Sequence, residues 1–477
     1  MRTVWRSVFG SSGAALLMGA GLLNGQVRQQ GTASGTLVLS DPRAAAIDEY
    51  TIALDDYQNL AWTEGFAHAE RAVRLDSSFG LARALYARYR GGPNVSAEVA
   101  RGAGDAVHNS TPEAILALAD ASTGPAAAGL WDLAVKLHPN DSRVAMARAL
   151  AMNGRARIDA LHDVANRFPG AAAPRVWLAY ALVLPLTPPR PKAIDDEALA
   201  LAQEAVRLAP NSSAAHAVLG FVYERMDKDD DAMTHFDHAS GMPFPFEGTF
   251  QLRAELLERQ GHYAAARAAL DSAILLTDNI DNRASYMNYR AVSFLYERNL
   301  GATMSALDDA ARDARANGNP AGEAALHTTM SIVYAGVGNV EAAEQHRAIA
   351  RRLGATPGQL ADAGVIIYGL TKQGAAARKA LESYVQAVAG QAPDLRAENV
   401  HRMTGLTLLA EGKADEAIGE LKQGGRNPFA QLGLIDAYTQ LGRKKDADAE
   451  RDAMLSRKDF GIGSTAVPIA RYRYAKK

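Results

Sequence analysis

Small, apolar and polar positions repeat in the same order along most of the chain. Between Leu219 and Ala239, a Leu219-Gly220 step is followed by Tyr223 and then by Ala232, Phe236 and Ala239. Spacings of three, four and seven residues put each group on one face of a helix, so the segment reads as two helices joined by a short polar turn. The second-helix pattern recurs as Ala127-Trp131-Ala134 and as Ala198-Ala202-Ala205, with Pro139 and Pro210 at offset twelve. Ala380, Tyr384 and Ala387 match it again, and a glycine stands five residues before the first small position at Gly261/Ala266, Gly338/Ala343, Gly412/Ala417 and Gly442/Ala447. Weaker matches begin at Gly65, Ala100 and Ala306, with a degenerate one, phased on 157, at Leu161-Val164-Pro169. The first small position therefore falls at 65, 100, 127, 157, 198, 232, 266, 306, 343, 380, 417 and 447. After 198 the steps are 34, 34, 40, 37, 37, 37 and 30. A phased series of this length predicts an array of about 12 helix pairs.

In its Leu-Gly, Tyr, Ala, aromatic, Ala order the repeat resembles the tetratricopeptide (TPR) family. The resemblance covers about residues 46–457 and is densest from 198 to 390. It implies an all-α fold, a right-handed superhelical solenoid of antiparallel pairs with a concave groove lined by first helices. Small residues such as Gly220, Ala232 and Ala239 let the helices approach, and Tyr223 and Phe236 fill the gaps.

Two proline clusters interrupt the phasing. Leu184-Pro185-Leu186-Thr187-Pro188-Pro189-Arg190-Pro191 cannot continue a helix and makes 184–191 a hinge between sub-arrays or a stiff loop within one pair. Met242 to Phe246 is a shorter break. At the amino terminus, Arg2 and Arg6 precede an apolar stretch from Gly13 to Leu23, the outline of a secretory signal over 1–25 with a linker over 26–45. The reading is an exported protein, periplasmic or extracellular. The alternative is a membrane anchor over 7–27, the only case in which membrane contact is expected. Residues 458–477 read as a tail without helical phasing.

Composition narrows the chemistry. The chain has 477 residues and no cysteine, which removes disulfides, thiol catalysis and Cys-based zinc sites. Its 51 basic and 53 acidic residues nearly cancel, so no nucleic-acid partner is expected. No phosphate-binding loop, zinc-protease pattern or nucleophile elbow is present. Gly461 to Ala466 imitates a dinucleotide fingerprint without the βαβ unit it needs. His235 and His238 share a helix face beside Asp229-Asp230-Asp231, but Phe236 and Ala239 face the core, leaving the histidines on a solvated flank. The reading is therefore no enzyme, no cofactor, no metal and no small-molecule substrate.

Taking Tyr223, Leu257 and Tyr296 as equivalents, the dipeptides Glu224-Arg225, Glu258-Arg259 and Glu297-Arg298 form a ladder along the implied groove, joined by Phe221, Gln251, Glu255, Arg290 and Phe294. Forked guanidinium donors suit carboxylates and could read an extended peptide, although such pairs also bridge repeats. Family members that clamp a chaperone's carboxyl terminus use Lys and Asn in the groove, whereas here Ala217 with Phe221 and Gln251 with Glu255 stand there. The expected function is an exported scaffold or adaptor that binds a protein or extended peptide in its groove. The alternative is a regulatory subunit of an enzyme, secretion or envelope-assembly complex, acting through its convex surface.

Overall fold

The structure, a computed structural model, describes residues 44–106, 124–152, 154–184, 191–389, 393–425, 427–455 and 465–474. The signal segment 1–25, most of the linker and the prolines between 185 and 190 lie outside the described residues. Among those described every regular element is a helix. They are α1 (Ala44–Gln58), α2 (Trp62–Leu75), α3 (Gly80–Arg90), α4 (Val95–Ala106), α5 (Gly124–Leu137), α6 (Ser142–Ala151), α7 (Gly154–Arg167) and α8 (Ala173–Val183). Next come α9 (Lys192–Leu208), α10 (Ser213–Arg225), α11 (Asp229–Ser240), α12 (Glu247–Arg259), α13 (Tyr263–Leu276) and α14 (Ile280–Ser293), which runs into a 3-10 turn at Phe294–Glu297. The remainder are α15 (Leu300–Ala316), α16 (Pro320–Gly336), α17 (Val340–Arg352), α18 (Pro357–Leu370), α19 (Gly374–Ala387), α20 (Pro393–Ala410), α21 (Ala414–Gln423), α22 (Pro428–Gln440), α23 (Lys444–Leu455) and α24 (Ala466–Tyr474).

The chain divides into two compact units. Unit 1 holds Met1–Leu256 with Ser272–Arg283, and unit 2 holds Leu257–Asp271 with Ala284–Lys477. Within unit 1, α1 packs on α2, α3 on α4, α8 on α9 and α10 on α11. Within unit 2 the pairs are α16/α17, α18/α19, α20/α21 and α22/α23. This consecutive pairing makes the chain a tetratricopeptide-like helical array. The prolines after Leu184 thus follow α8, which pairs with α9.

The repeat's small and large positions interlock. Ala198, Ala232, Ala266, Ala343 and Ala417 are fully buried, as is Phe236. A methyl group on Gly220 would sit 2.7 Å from Phe236 Cε1, so the glycine is where α10 receives the ring from α11. Gly405 and Leu421 make the same arrangement in unit 2, at 2.5 Å.

The glycine five residues before each anchor also has a backbone cause. Gly261, Gly338, Gly412 and Gly442 adopt φ of 83°, 90°, 81° and 69°, the left-handed turn that ends a first helix. A backbone bond closes each turn: His262 N to Leu257 O, Asn339 N to Tyr334 O, Lys413 N to Leu408 O and Arg443 N to Tyr438 O. Leu60 and Asp227 take the same conformation without being glycine, and so do Arg298 and Lys372. The last two move the register. They are followed five residues later by Thr303 and Ala377, both fully buried, so these are the anchors in place of Ala306 and Ala380. The shift is three residues, one helical turn on the same face, which periodicity in an alanine-rich helix cannot distinguish.

Candidate partner-binding surfaces

The turn register relocates part of the charged ladder. Asn299 N bonds to Phe294 O as Lys228 N bonds to Tyr223 O, so Phe294, not Tyr296, is the equivalent of Tyr223 and Leu257. Glu297-Arg298 therefore lies in the turn, out of register with Glu224-Arg225 and Glu258-Arg259. In unit 1, Phe221, Glu224, Gln251 and Glu255 are buried. Arg225 joins them, its Nη2 3.0 Å from Glu255 Oε1 and its guanidinium 4.6 Å from the Phe221 ring. Burial pulls the Arg225 pKa down, but the carboxylates of Glu224 and Glu255 outweigh it and hold the charge in place. This first rung bridges one first helix to the next.

In unit 2 the ladder positions have separate partners. Glu258 is buried and Arg259 half-buried. Arg290 pairs with Asp271 at 2.5 Å. Arg267 pairs with Glu297 at 2.6 Å and lies 4.2 Å from the Phe294 ring centre. Arg298 is exposed, 5.9 Å from the ring of Tyr472.

The structure also shows a polar position that pattern reading missed. Sixteen residues before an anchor and three after it, side chains from the two helices of one pair meet. Glu49 meets His68 at 2.5 Å, His216 meets His235 at 3.1 Å, His327 meets His346 at 2.9 Å, His401 meets Glu420 at 2.7 Å and Gln431 meets Glu450 at 3.2 Å. The signal was available, since each pair is phased on Gly65, Ala232, Ala343, Ala417 or Ala447. His235 is thus half-buried against His216 and stacked on Tyr223, while His238 stays exposed as expected of a flank. Among the described residues no group of three His, Asp or Glu has the geometry to hold a metal ion.

The two His–His bridges make stability pH-dependent. Burial lowers the pKa of His216, His235, His327 and His346, with the neighbouring His238 and His235 adding to it at His216 and His346 adding to it at His327. Asp231 near His235, and Asp308 and Glu323 near His327, oppose the shift without reversing it. A histidine held neutral in the fold but free to protonate when unfolded loses stability as pH falls below about 6.5. The expected result is a lower Tm at pH 5.5 than at pH 8, with the difference reduced in His216→Gln/His327→Gln. An equal pH dependence in that variant would refute the assignment.

A second surface lies in unit 2 and involves the carboxyl terminus. The expectation of an unphased tail is corrected: Ala466–Tyr474 is a nine-residue helix whose Ala466, Val467, Pro468, Ile469 and Ala470 are buried. Such a helix is roughly 13 Å long, yet it touches the 3-10 turn after α14, α16, α22 and α23. Those elements therefore converge on one cleft, lined largely by first helices. Its floor includes Leu295, Tyr296, Val333, Leu432, Ile435 and Met454. Gly336 leaves a space that Ile469 fills, since a Cβ there would lie 2.7 Å from Ile469 Cδ1. At the polar end Arg471 Nη1 donates to Tyr263 Oη at 2.6 Å, and its guanidinium lies 5.6 Å from the Tyr296 ring centre. Arg473 Nε donates to Gly336 O at 2.5 Å, and Tyr474 Oη donates to Asp436 Oδ1 at 2.8 Å. Burial and the Asp436 carboxylate raise the Tyr474 pKa, keeping that donor protonated. Sequence reading missed the helix because nine residues show too little period and part of their cover, Leu295, Tyr296 and Val333, comes from residues more than a hundred positions away.

Unit 1 has a smaller recess walled by Tyr57, Trp62, Phe66 and Tyr89, with room for about 20 Å³, the size of one water.

No family model and no curated protein matches the chain. Solved structures with similar helical arrays include the human IFIT1 dimer with m7Gppp-AAAA, at 13% identity over 82% of this chain and 95% of that one, TM-score 0.40. The APC/C hetero-tetramer Cut9-Hcn1 is similar at 14% identity over 83% and 76%, TM-score 0.42. Yeast Tom70 follows at 10% over 84% and 96%, TM-score 0.43. The likeness is one of fold, and this chain is TPR-like. One expectation is overturned here. IFIT1 was solved with m7Gppp-AAAA and with PPP-AAAA, so a near-zero net charge does not exclude a nucleic-acid partner for an array of this kind. The physical reason is that a charge sum averages over the whole surface, whereas recognition is local.

Proposed function

We propose that the protein is a non-enzymatic, exported scaffold that holds a segment of a partner protein on the surface formed by its first helices. The observation that carries this reading is the cleft of unit 2, where first helices already hold a helical segment of nine residues through apolar, aromatic and carboxylate contacts. Positioning needs no cofactor, and the binding energy comes from apolar burial with a few oriented polar groups. Export is supported by Arg2 and Arg6 before the apolar run.

A second reading rests on a different observation. Leu133, Leu137, Leu275 and Val385 are large apolar residues exposed on second helices, Leu275 by 84%. They would serve a regulatory subunit that docks through its outer face.

Photo-crosslinking in cells separates the two. With a crosslinker at Phe429 or Tyr368, on first helices, a partner protein should be captured more strongly than with one at Val385 or Leu275. Capture only from Val385 or Leu275 would sink the scaffold reading in favour of the outer face.

A further inference from the structure

Resting on the scaffold reading, we infer that the cleft of unit 2 is a receptor for a short helix of small and branched apolar residues followed by arginine and tyrosine, and that α24 is its internal competitor. The partner's chemistry is read from what the cleft offers. Gly336 provides a socket with no side chain, into which Ile469 fits; alanine and valine cover the rest of the floor. Next to the socket, Tyr263 and Tyr296 stack with ring centres 5.1 Å apart, and Arg471 reaches the Tyr263 hydroxyl and the Tyr296 face. Beyond them, Asp436 takes both Arg473, at 3.3 Å, and Tyr474. A cleft that places the Asp436 carboxylate, two tyrosine rings and the Gly336 carbonyl along one side selects a basic, aromatic segment over an acidic one.

Two features make α24 an exchangeable occupant rather than one more repeat. The repeat ends with α22 and α23, and α24 has no partner helix following it among the described residues. The elements it packs on also pair with one another without it, α22 with α23 and α16 with α17, so their pairing does not depend on α24. Held on the same chain, it competes at high effective concentration, and an outside segment binds only at the expense of that contact.

The absence of cysteine provides a clean test in the full-length protein. In Gly336→Cys/Ile469→Cys the two new cysteines are adjacent and are the only ones in the chain, so oxidation at low protein concentration locks α24 in place. The probe is a labelled synthetic peptide of residues Thr465–Tyr474, followed by fluorescence anisotropy. For the cysteine pair the peptide carries Ile469→Ala, because the Gly336→Cys side chain fills the socket that Ile469 enters. Reduced protein should bind the peptide at least about tenfold more tightly than oxidised protein. Full-length Ile469→Asp, which releases α24 by placing a carboxylate in the socket, should likewise bind it about tenfold more tightly than wild type, and adding Asp436→Asn should weaken that binding. Circular dichroism checks the fold, and if Ile469→Asp does not fold, the redox pair carries the test alone. Equal binding in the oxidised and reduced states, or no binding in any state, overturns the inference. Failure of the crosslinking experiment with peptide exchange intact would instead reject the scaffold reading alone.

Discussion

Glu255→Ala is expected to destabilise unit 1 by about 3 kcal/mol or more, because it leaves the Arg225 guanidinium buried with one carboxylate fewer. The side chains of Arg225 and Glu255 are only 7% and 5% exposed, so water cannot replace the lost partner. The triple variant Glu224→Gln/Arg225→Met/Glu255→Leu should recover more than half of that loss, since it removes the buried charges together and leaves no carboxylate without its cation. Trp62, Trp131 and Trp177, the tryptophans among the described residues, all lie in unit 1, so urea unfolding followed by tryptophan fluorescence reads this unit. A Glu255→Ala midpoint equal to wild type would show that the pair adds nothing. The result also bears on any binding experiment that removes Arg225: lost binding there has to be separated from lost packing.

Phe236→Ala should cost a similar amount, about 3–5 kcal/mol, by opening a cavity between α10 and α11 where the ring is fully buried. Gly220→Ala alone should cost about 1–3 kcal/mol, because its methyl group enters the space of the ring. The two changes should not add. In Gly220→Ala/Phe236→Ala the methyl occupies the emptied space, and the double variant should be no less stable than Phe236→Ala. Strict additivity in the same fluorescence assay would contradict the interlock.

That interlock was legible before any coordinates, because a repeated unit prints its contacts at fixed offsets. Gly220, Ala232 and Phe236 announced both the helix pair and the close approach of its members. The candidate site was legible only in part. The dipeptides Glu224-Arg225 and Glu258-Arg259 were in register, but Glu297-Arg298 was not, since Tyr296 and Phe294 both satisfy an aromatic pattern and only the turn hydrogen bond distinguishes them. The bridges from His216 to His235 and from His327 to His346 were phased on the anchors yet invisible to a search for apolar periodicity, which ignores polar residues facing one another.

The sequence by itself determined the class of fold, the pairing of neighbouring helices and the recurring glycines at Gly261, Gly338, Gly412 and Gly442. All of these are local: they depend on residues within about one repeat, and a periodic chain states them many times over. Tertiary structure alone decided that Arg225 is a buried bridge rather than an open rung. It also decided that Ala466–Tyr474 is a helix seated on Tyr296, Gly336 and Asp436. Those facts depend on residues that one-dimensional pattern keeps far apart. Burial is a property of the neighbours a side chain acquires, and for Arg225 and Ile469 the decisive neighbours come from other repeats.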